Sequence, residues 1–162
     1  MAWPGGQALA RYLLDHPSEA AGRRVVDFGS GSGLVAIAAA MAGATAVVAQ
    51  ETDPLAAAAI SLNAEANGVA APDCGTDAGS GEVIVAGDVW YEKELADSAC
   101  EYLESAAAAG INVLAGDIGR RYFPRGRYDR LATYDLPASV ALESYDSLRA
   151  SVWRVTRRSA KH

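Results

Sequence analysis

Residues 25–33, VVDFGSGSG, lead an apolar stretch into Asp27 and then set Gly29, Gly31 and Gly33 at alternate positions around Ser30. A turn of this composition lets a ligand come close to the backbone, because no Cβ stands in its way. Glu51, in VVAQETDP, lies at the spacing of about 20 residues from which a second acid grips ribose hydroxyls at the end of the next strand. GDVWYE then brings Asp88, Tyr91 and Glu92 into one short segment. Two carboxylates and an aromatic hydroxyl beside a reacting centre can orient an amine while its proton leaves to water.

The charge of Asp27 narrows the choice of ligand. A dinucleotide fingerprint needs its third glycine at residue 34, where this chain has Leu34. A carboxylate at the mouth of the turn also opposes a pyrophosphate, which seeks the positive end of a helix. S-adenosylmethionine fits better, since it carries a sulfonium and an α-ammonium group and no phosphate. Asp27, Gly29, Ser30, Gly31 and Gly33 are therefore expected to hold its methionine portion, and Glu51 its ribose. The plainer alternatives are that Asp27 only caps the turn and that Glu51 is an exposed acid. Asp53 reads as a helix N-cap.

Asp88 has no evident capping role, because the following helix starts several residues later. Asp88, Tyr91 and Glu92 are thus the expected catalytic group at the cofactor's methyl, with Asp88 also a cofactor contact. Trp3, beside Gly5 and Gly6, either covers the adenine ring or joins Trp90 and Trp153 in the core.

Those residues need a scaffold that brings strand ends together. QALARYLL (7–14) has a helical stripe of Leu9, Tyr12 and Leu13, with Pro4, Gly5 and Gly6 as a turn ahead of it. RVVDFG reads as a buried strand, GLVAIAAAMAG as a helix stopped near Gly43, and TAVVAQE as a second strand. Asp53 and Pro54 open a helix carrying Leu55, Ala58, Ala59 and Leu62 to Asn67 and Gly68. Residues 69–81 read mostly as loop. EVIVAGD is a strand, residues 92–109 a helix with Leu95, Ala99, Tyr102, Leu103 and Ala106 inward, and INVLAGD another strand. RLATYDL and LRASVWRV suit an antiparallel edge pair. Alternating strands and helices predict an α/β fold: one domain with a mainly parallel sheet, its ligand beyond the strand ends.

Composition sets limits on partners. With 162 residues, 51% of them hydrophobic, the chain can bury a real core, and a net charge of −6 argues against broad nucleic-acid binding. Arg120, Arg121, Arg125, Arg127 and Arg130 nevertheless crowd one segment with Tyr122, Phe123 and Tyr128. That segment is a solvated loop or a patch for an acidic protein or an RNA. Cys74 and Cys100 lack metal-site spacing, and no apolar run reaches membrane-spanning length. No metal, no membrane and a cytoplasmic setting are the expectations.

DFGSGSG, QETDP, LNAEANG, GDVWYE and GDIGRRYF together resemble the class I S-adenosylmethionine-dependent methyltransferases of seven-strand, Rossmann-like type. WPGGQALARYLLDHP, GDVWYEKELAD and GDIGR are similar to the lysine methyltransferases of the electron transfer flavoprotein β-subunit and their bacterial, nicotinamide N-methylase-like relatives. The resemblance runs from Trp3 to Arg154. It implies cofactor contacts at Asp27 to Gly33 and at Glu51, and a target nitrogen bordered by Asp88 to Glu92. It also implies a family segment ahead of Trp3, so residues 1–162 are expected to form a single domain without that extension. The 69–81 region is short where the family places its adenine contact, a role open to Asp73 or Asp77. A protein lysine is the acceptor the resemblance favours. A small pyridine or amine acceptor, and an inactive cofactor-binding domain acting through protein contacts, remain open.

Overall fold

A computed structural model of the chain describes residues 2–76, 79–137 and 147–156. Helix α1 (Pro4–Asp15) and a 3-10 turn (Pro17–Glu19) precede strand β1 (Arg24–Phe28), helix α2 (Leu34–Met41) and strand β2 (Ala46–Gln50). Helix α3 (Pro54–Ala66), strands β3 (Asp73–Gly75) and β4 (Val83–Gly87), and helix α4 (Lys93–Ala108) follow. Strands β5 (Asn112–Asp117), β6 (Asp129–Pro137) and β7 (Ser147–Arg154) end the order. The seven strands form one sheet in the order β3-β2-β1-β4-β5-β7-β6. Pairings among β1 to β5 are parallel, whereas β7 runs antiparallel to both β5 and β6. The expected α/β architecture with an antiparallel C-terminal edge is thus observed.

Strands β1, β2, β4 and β5 are mainly apolar on both faces, and successive residues part company, as the pleat requires. Val25, Val83, Val85 and Leu114 pack with Leu9 and Leu13 of α1 and with Ala36 and Ala39 of α2. Val26, Ile84, Ala86 and Val113 pack on the opposite side with Trp90 and with Ala99 and Leu103 of α4. Parallel register aligns Asp27 with Ala49 and with Val85, so the C-terminal ends of β2, β1 and β4 finish side by side.

Four details differ from expectation. Helix α1 begins at Pro4, so Gly5 and Gly6 are its first turn and not a preceding loop. Tertiary packing overrides their turn preference: a Cβ on Gly5 or Gly116 would collide with the other's backbone, and one on Gly87 would lie 2.8 Å from Gly6 Cα. The α1 N-terminus rests directly on the sheet. In α3, the buried residues are Ile60 and Ala64, while Leu55 and Leu62 are exposed. The 69–81 region contributes the short strand β3, paired with β2. In α4, Leu95 and Tyr102 are only half-buried. Among the described residues, no helix is long and apolar enough to cross a membrane.

Candidate functional site

The turn after β1 is organised by the carboxylate that precedes it. Asp27 is buried; its Oδ2 accepts from Ser30 Oγ at 2.6 Å and from Ala36 N at 3.0 Å. Burial pushes its carboxyl up to about 7, against the pull of those hydrogen bonds, and nearby Glu51 adds to the rise. Asp27 therefore braces the glycine turn from beneath, and reaches a cavity of about 50 Å³ that Trp3, Gly6, Ser30 and Gly31 also line. Gly31 has φ 55° and its N–H donates to Glu51 Oε2 at 2.8 Å. A Cβ on Gly31 would meet nothing within 4 Å. Because this residue lines the main cleft, a side chain here would project into ligand space.

Gly33 has a different job from its neighbours. It is the α2 N-cap, and a Cβ would sit 2.9 Å from Ile60 Cγ1. Expected among the cofactor residues, Gly33 instead lines neither cavity and serves helix packing.

Glu51 closes the β2 end. Besides Gly31 N, its carboxylate accepts from Thr52 N at 2.8 Å and Asp53 N at 3.0 Å, while Asp53 caps α3 through Leu55 N at 2.9 Å. Both glycine turn and acid loop are thereby tied together before any ligand arrives. Asp73, a candidate adenine contact, is exposed in β3 and outside the cleft lining; Asp77 lies outside the described residues.

At the β4 end, Asp88 does cap a helix, although not the one that follows it in sequence. Its Oδ2 accepts from Gly6 N, in the first turn of α1, at 2.6 Å, and its Oδ1 from Arg120 Nη2 at 3.0 Å. Sequence distance hid this partner, 82 residues away. Asp88 is also the one described non-glycine residue with positive φ, 57°. Its side chain is 5% exposed, and the small part that lines the cleft lies beside Arg120.

Arg120 is the functional residue that sequence reasoning placed elsewhere, in the arginine-rich patch. Its side chain is 20% exposed and reaches back into the cleft between Asp88 and Asp117. Asp117 Oδ1 accepts from Gly119 N at 2.6 Å and Arg120 N at 2.7 Å, and its Oδ2 lies 3.6 Å from Arg120 Nε. Burial pushes the Asp117 carboxyl up to about 6, with the like charge of Asp88 contributing. The Trp3 ring centroid stands 5.5 Å from the Arg120 guanidinium carbon. GDIGR held the signal: an acid at a strand end, a glycine, and an arginine three residues on.

These parts enclose a cleft of about 690 Å³ over the ends of β2, β1 and β4, lined by Phe28, Gly29, Gly31, Gln50, Glu51, Thr52, Gly87, Val89 and Leu95, and by Trp3, Asp88, Tyr91 and Arg120. Tyr91 stands 62% exposed at its rim. Glu92, expected beside it, is exposed at the α4 N-cap and is not part of the lining. Trp3 lies at the Arg120 end. Two strands, β1 and β4, separate the strand that delivers Arg120 from the one that delivers Glu51, roughly 14 Å at sheet spacing. The indole thus lies at the end of the cleft remote from Glu51, the acid expected to hold the ribose. Within the arginine-rich segment, Phe123 and Tyr128 are buried core aromatics around Trp90, leaving Arg121, Arg125, Arg127 and Arg130 exposed.

A seven-stranded sheet with this order, bearing a glycine turn and an acid at adjacent strand ends, has the fold of the Rossmann-like methyltransferases. An RNA methyltransferase from Salinibacter ruber, solved with S-adenosyl-L-homocysteine, superposes with a TM-score of 0.63 at 19% identity, covering 95% of this chain and 94% of its own. The model of the ribosomal protein L11 methyltransferase (PrmA) family matches residues 7–87, half of the sequence, and the chain belongs to that family. It is also similar to the electron transfer flavoprotein β-subunit lysine methyltransferases of Danio rerio, 44% identical over 94% of this chain, and Xenopus laevis, 43% identical over 93%. The matches cover 63% and 66% of those relatives, so the chain spans just under two thirds of their length.

Proposed function

We propose that this protein is an S-adenosylmethionine-dependent N-methyltransferase acting on a protein lysine. The observation that carries the reading is the cleft at the ends of β2, β1 and β4, where an open glycine turn meets Glu51. Its lining fits the cofactor: Gly31 leaves room against the backbone, the Glu51 oxygens suit vicinal hydroxyls, and Asp27 and Asp88 complement a cationic head group. Similarity to lysine methyltransferases over nearly the whole chain supports the acceptor.

Bound S-adenosylmethionine supplies a methyl group activated for displacement by an amine. The chain's task is then positioning and exclusion of water. A lysine must attack as the neutral amine, although its ordinary pKa near 10.4 leaves little of that form at neutral pH. In this reading Tyr91, exposed at the rim, orients the incoming nitrogen, whose proton leaves to solvent. Asp88 acts by fixing Arg120 and the α1 N-terminus, and is a positioning residue. Glu92 touches neither part of the cleft and has no role in this reading.

The exposed arginines that follow Arg120 favour an acidic surface on the protein substrate, because exposed charge chiefly steers encounter. Cys74 and Cys100 are free thiols, which suits a reducing, cytoplasmic setting. The test is methyl transfer from labelled S-adenosylmethionine to a whole-cell lysate, with protein separated from small molecules. Label on lysine, located by peptide mass spectrometry, is expected. Label confined to the small-molecule fraction would replace the proposed acceptor with a soluble amine.

A further inference from the structure

We infer that Arg120 binds the carboxylate of the cofactor's methionine moiety. The inference rests on the S-adenosylmethionine reading above and adds a ligand group to it. That head group carries one anion and two cations. Among the described residues lining the cleft, Glu51 and Asp88 are acids and Arg120 is the one cation, with Asp27 beneath the turn. Charge matching therefore sends the ammonium toward Asp27 and Asp88 and the carboxylate toward Arg120.

The geometry agrees. With the ribose at Glu51, the methionine arm passes over the glycine turn of β1 toward β4 and β5, the direction in which Arg120 lies. Asp88 engages Nη2, and the remaining Nη hydrogens are left to serve a second carboxylate, since a guanidinium offers five donors in a fixed fork. Asp88 on one edge and the Trp3 ring against the guanidinium fix that fork in advance, which limits the entropy lost on binding. Asp88 and Asp117 would both repel the incoming carboxylate, but the oxygens of Asp88 are engaged by Gly6 N and by Arg120, and Asp117 is buried behind the Arg120 turn with its Oδ1 held by Gly119 N and Arg120 N. The positive end of α1 could attract the same anion; its Gly6 N–H, however, is already committed to Asp88.

Calorimetry decides the matter without reference to turnover. S-adenosylhomocysteine and its decarboxylated analogue, which ends in an aminopropyl thioether, are titrated into the parent, Arg120→Lys and Arg120→Met. Arg120→Met is expected to weaken S-adenosylhomocysteine about tenfold to a hundredfold, as loss of a charge-assisted hydrogen bond does. The analogue should change by less than about threefold under the same principle. Arg120→Lys should fall between, keeping the charge and losing the fork. Because Arg120→Met removes the cation from both Asp88 and Asp117, the Asp88→Asn/Asp117→Asn/Arg120→Met triple variant repeats the comparison without a lone buried charge. Equal loss for both ligands, or no loss for either, overturns the inference. So does unchanged S-adenosylhomocysteine affinity with a raised KM for the acceptor. A parent that binds neither ligand defeats the cofactor reading itself.

Discussion

Asp27 is a buried acid whose hydrogen bonds come from a hydroxyl and a backbone amide, with no cation among those partners. Burial dominates, so its folded pKa of about 7 exceeds the unfolded value of about 3.9. The unfolded chain then releases its proton first as pH rises. Stability from this group is full below about pH 4, declines toward pH 7 and is flat above, by linkage. Asp117, raised to about 6, acts in the same direction over a narrower window. Thermal melts from pH 4 to 8 should therefore show the parent losing stability with rising pH, and Asp27→Asn losing less. Identical slopes for parent and variant would mean that Asp27 stays charged in the fold. At the other end of the turn, Glu51→Ala should weaken S-adenosylhomocysteine by about tenfold to a hundredfold in calorimetry, since charged hydrogen bonds contribute on the order of 1.5–3 kcal/mol. Unchanged affinity would leave Glu51 as a loop brace alone, the role its bonds to Gly31, Thr52 and Asp53 already show.

Helix α1 is positioned by absence of side chains as much as by their presence. Gly5 sits on Gly116 and Gly6 on Gly87, with Asp88 accepting from Gly6 N. Gly116→Ala forces a methyl into that contact, and overpacking of this kind costs typically about 1–3 kcal/mol. The expected result is a lower melting temperature together with weaker cofactor binding, because Trp3 and Asp88 move with the helix. A variant that melts like the parent would show that α1 can lift without cost. The same contact explains what could be read in the sequence. β1, β2, β4, β5 and the caps at Asp53, Gly43 and Gly68 follow from local periodicity and turn chemistry. The start of α1 does not, because Pro-Gly-Gly looks like a turn unless Gly116 and Gly87 are known to lie beneath it. β3, with the sequence DCG, carries no β-branched residue and is a strand only because β2 offers it an edge. Glycine turn and Glu51 were visible from spacing, whereas Arg120 and the cap formed by Asp88 depend on pairs far apart in sequence.

For the whole molecule, the net charge of −6 coexists with a rim of exposed arginines, Arg121, Arg125, Arg127 and Arg130, that follows Arg120 in the chain. Arg121, whose guanidinium carbon lies 5.5 Å from the Tyr122 ring centre, is the clean probe of that rim. Arg125 is less suitable, because it donates to Gly119 O behind the Arg120 turn. If the acceptor is the proposed acidic protein, Arg121→Glu should slow association with it and flatten the salt dependence, with cofactor affinity unchanged. Stopped-flow association measured across ionic strengths checks this, and a salt dependence equal to the parent's would remove Arg121 from the docking surface.

The sheet ends in β3 on one side and β6 on the other, and each terminal strand is poorly suited to recruit a neighbour. β3 has three residues, too few to template a long ladder. β6 is longer, but exposes Asp129, Arg130 and Asp135, and ends in Pro137, which has no amide hydrogen to donate. Charges and a proline on an outer strand oppose strand addition between molecules. A sheet with a largely apolar interior is thus guarded against strand addition by its shortest strand at one margin and by charged side chains at the other.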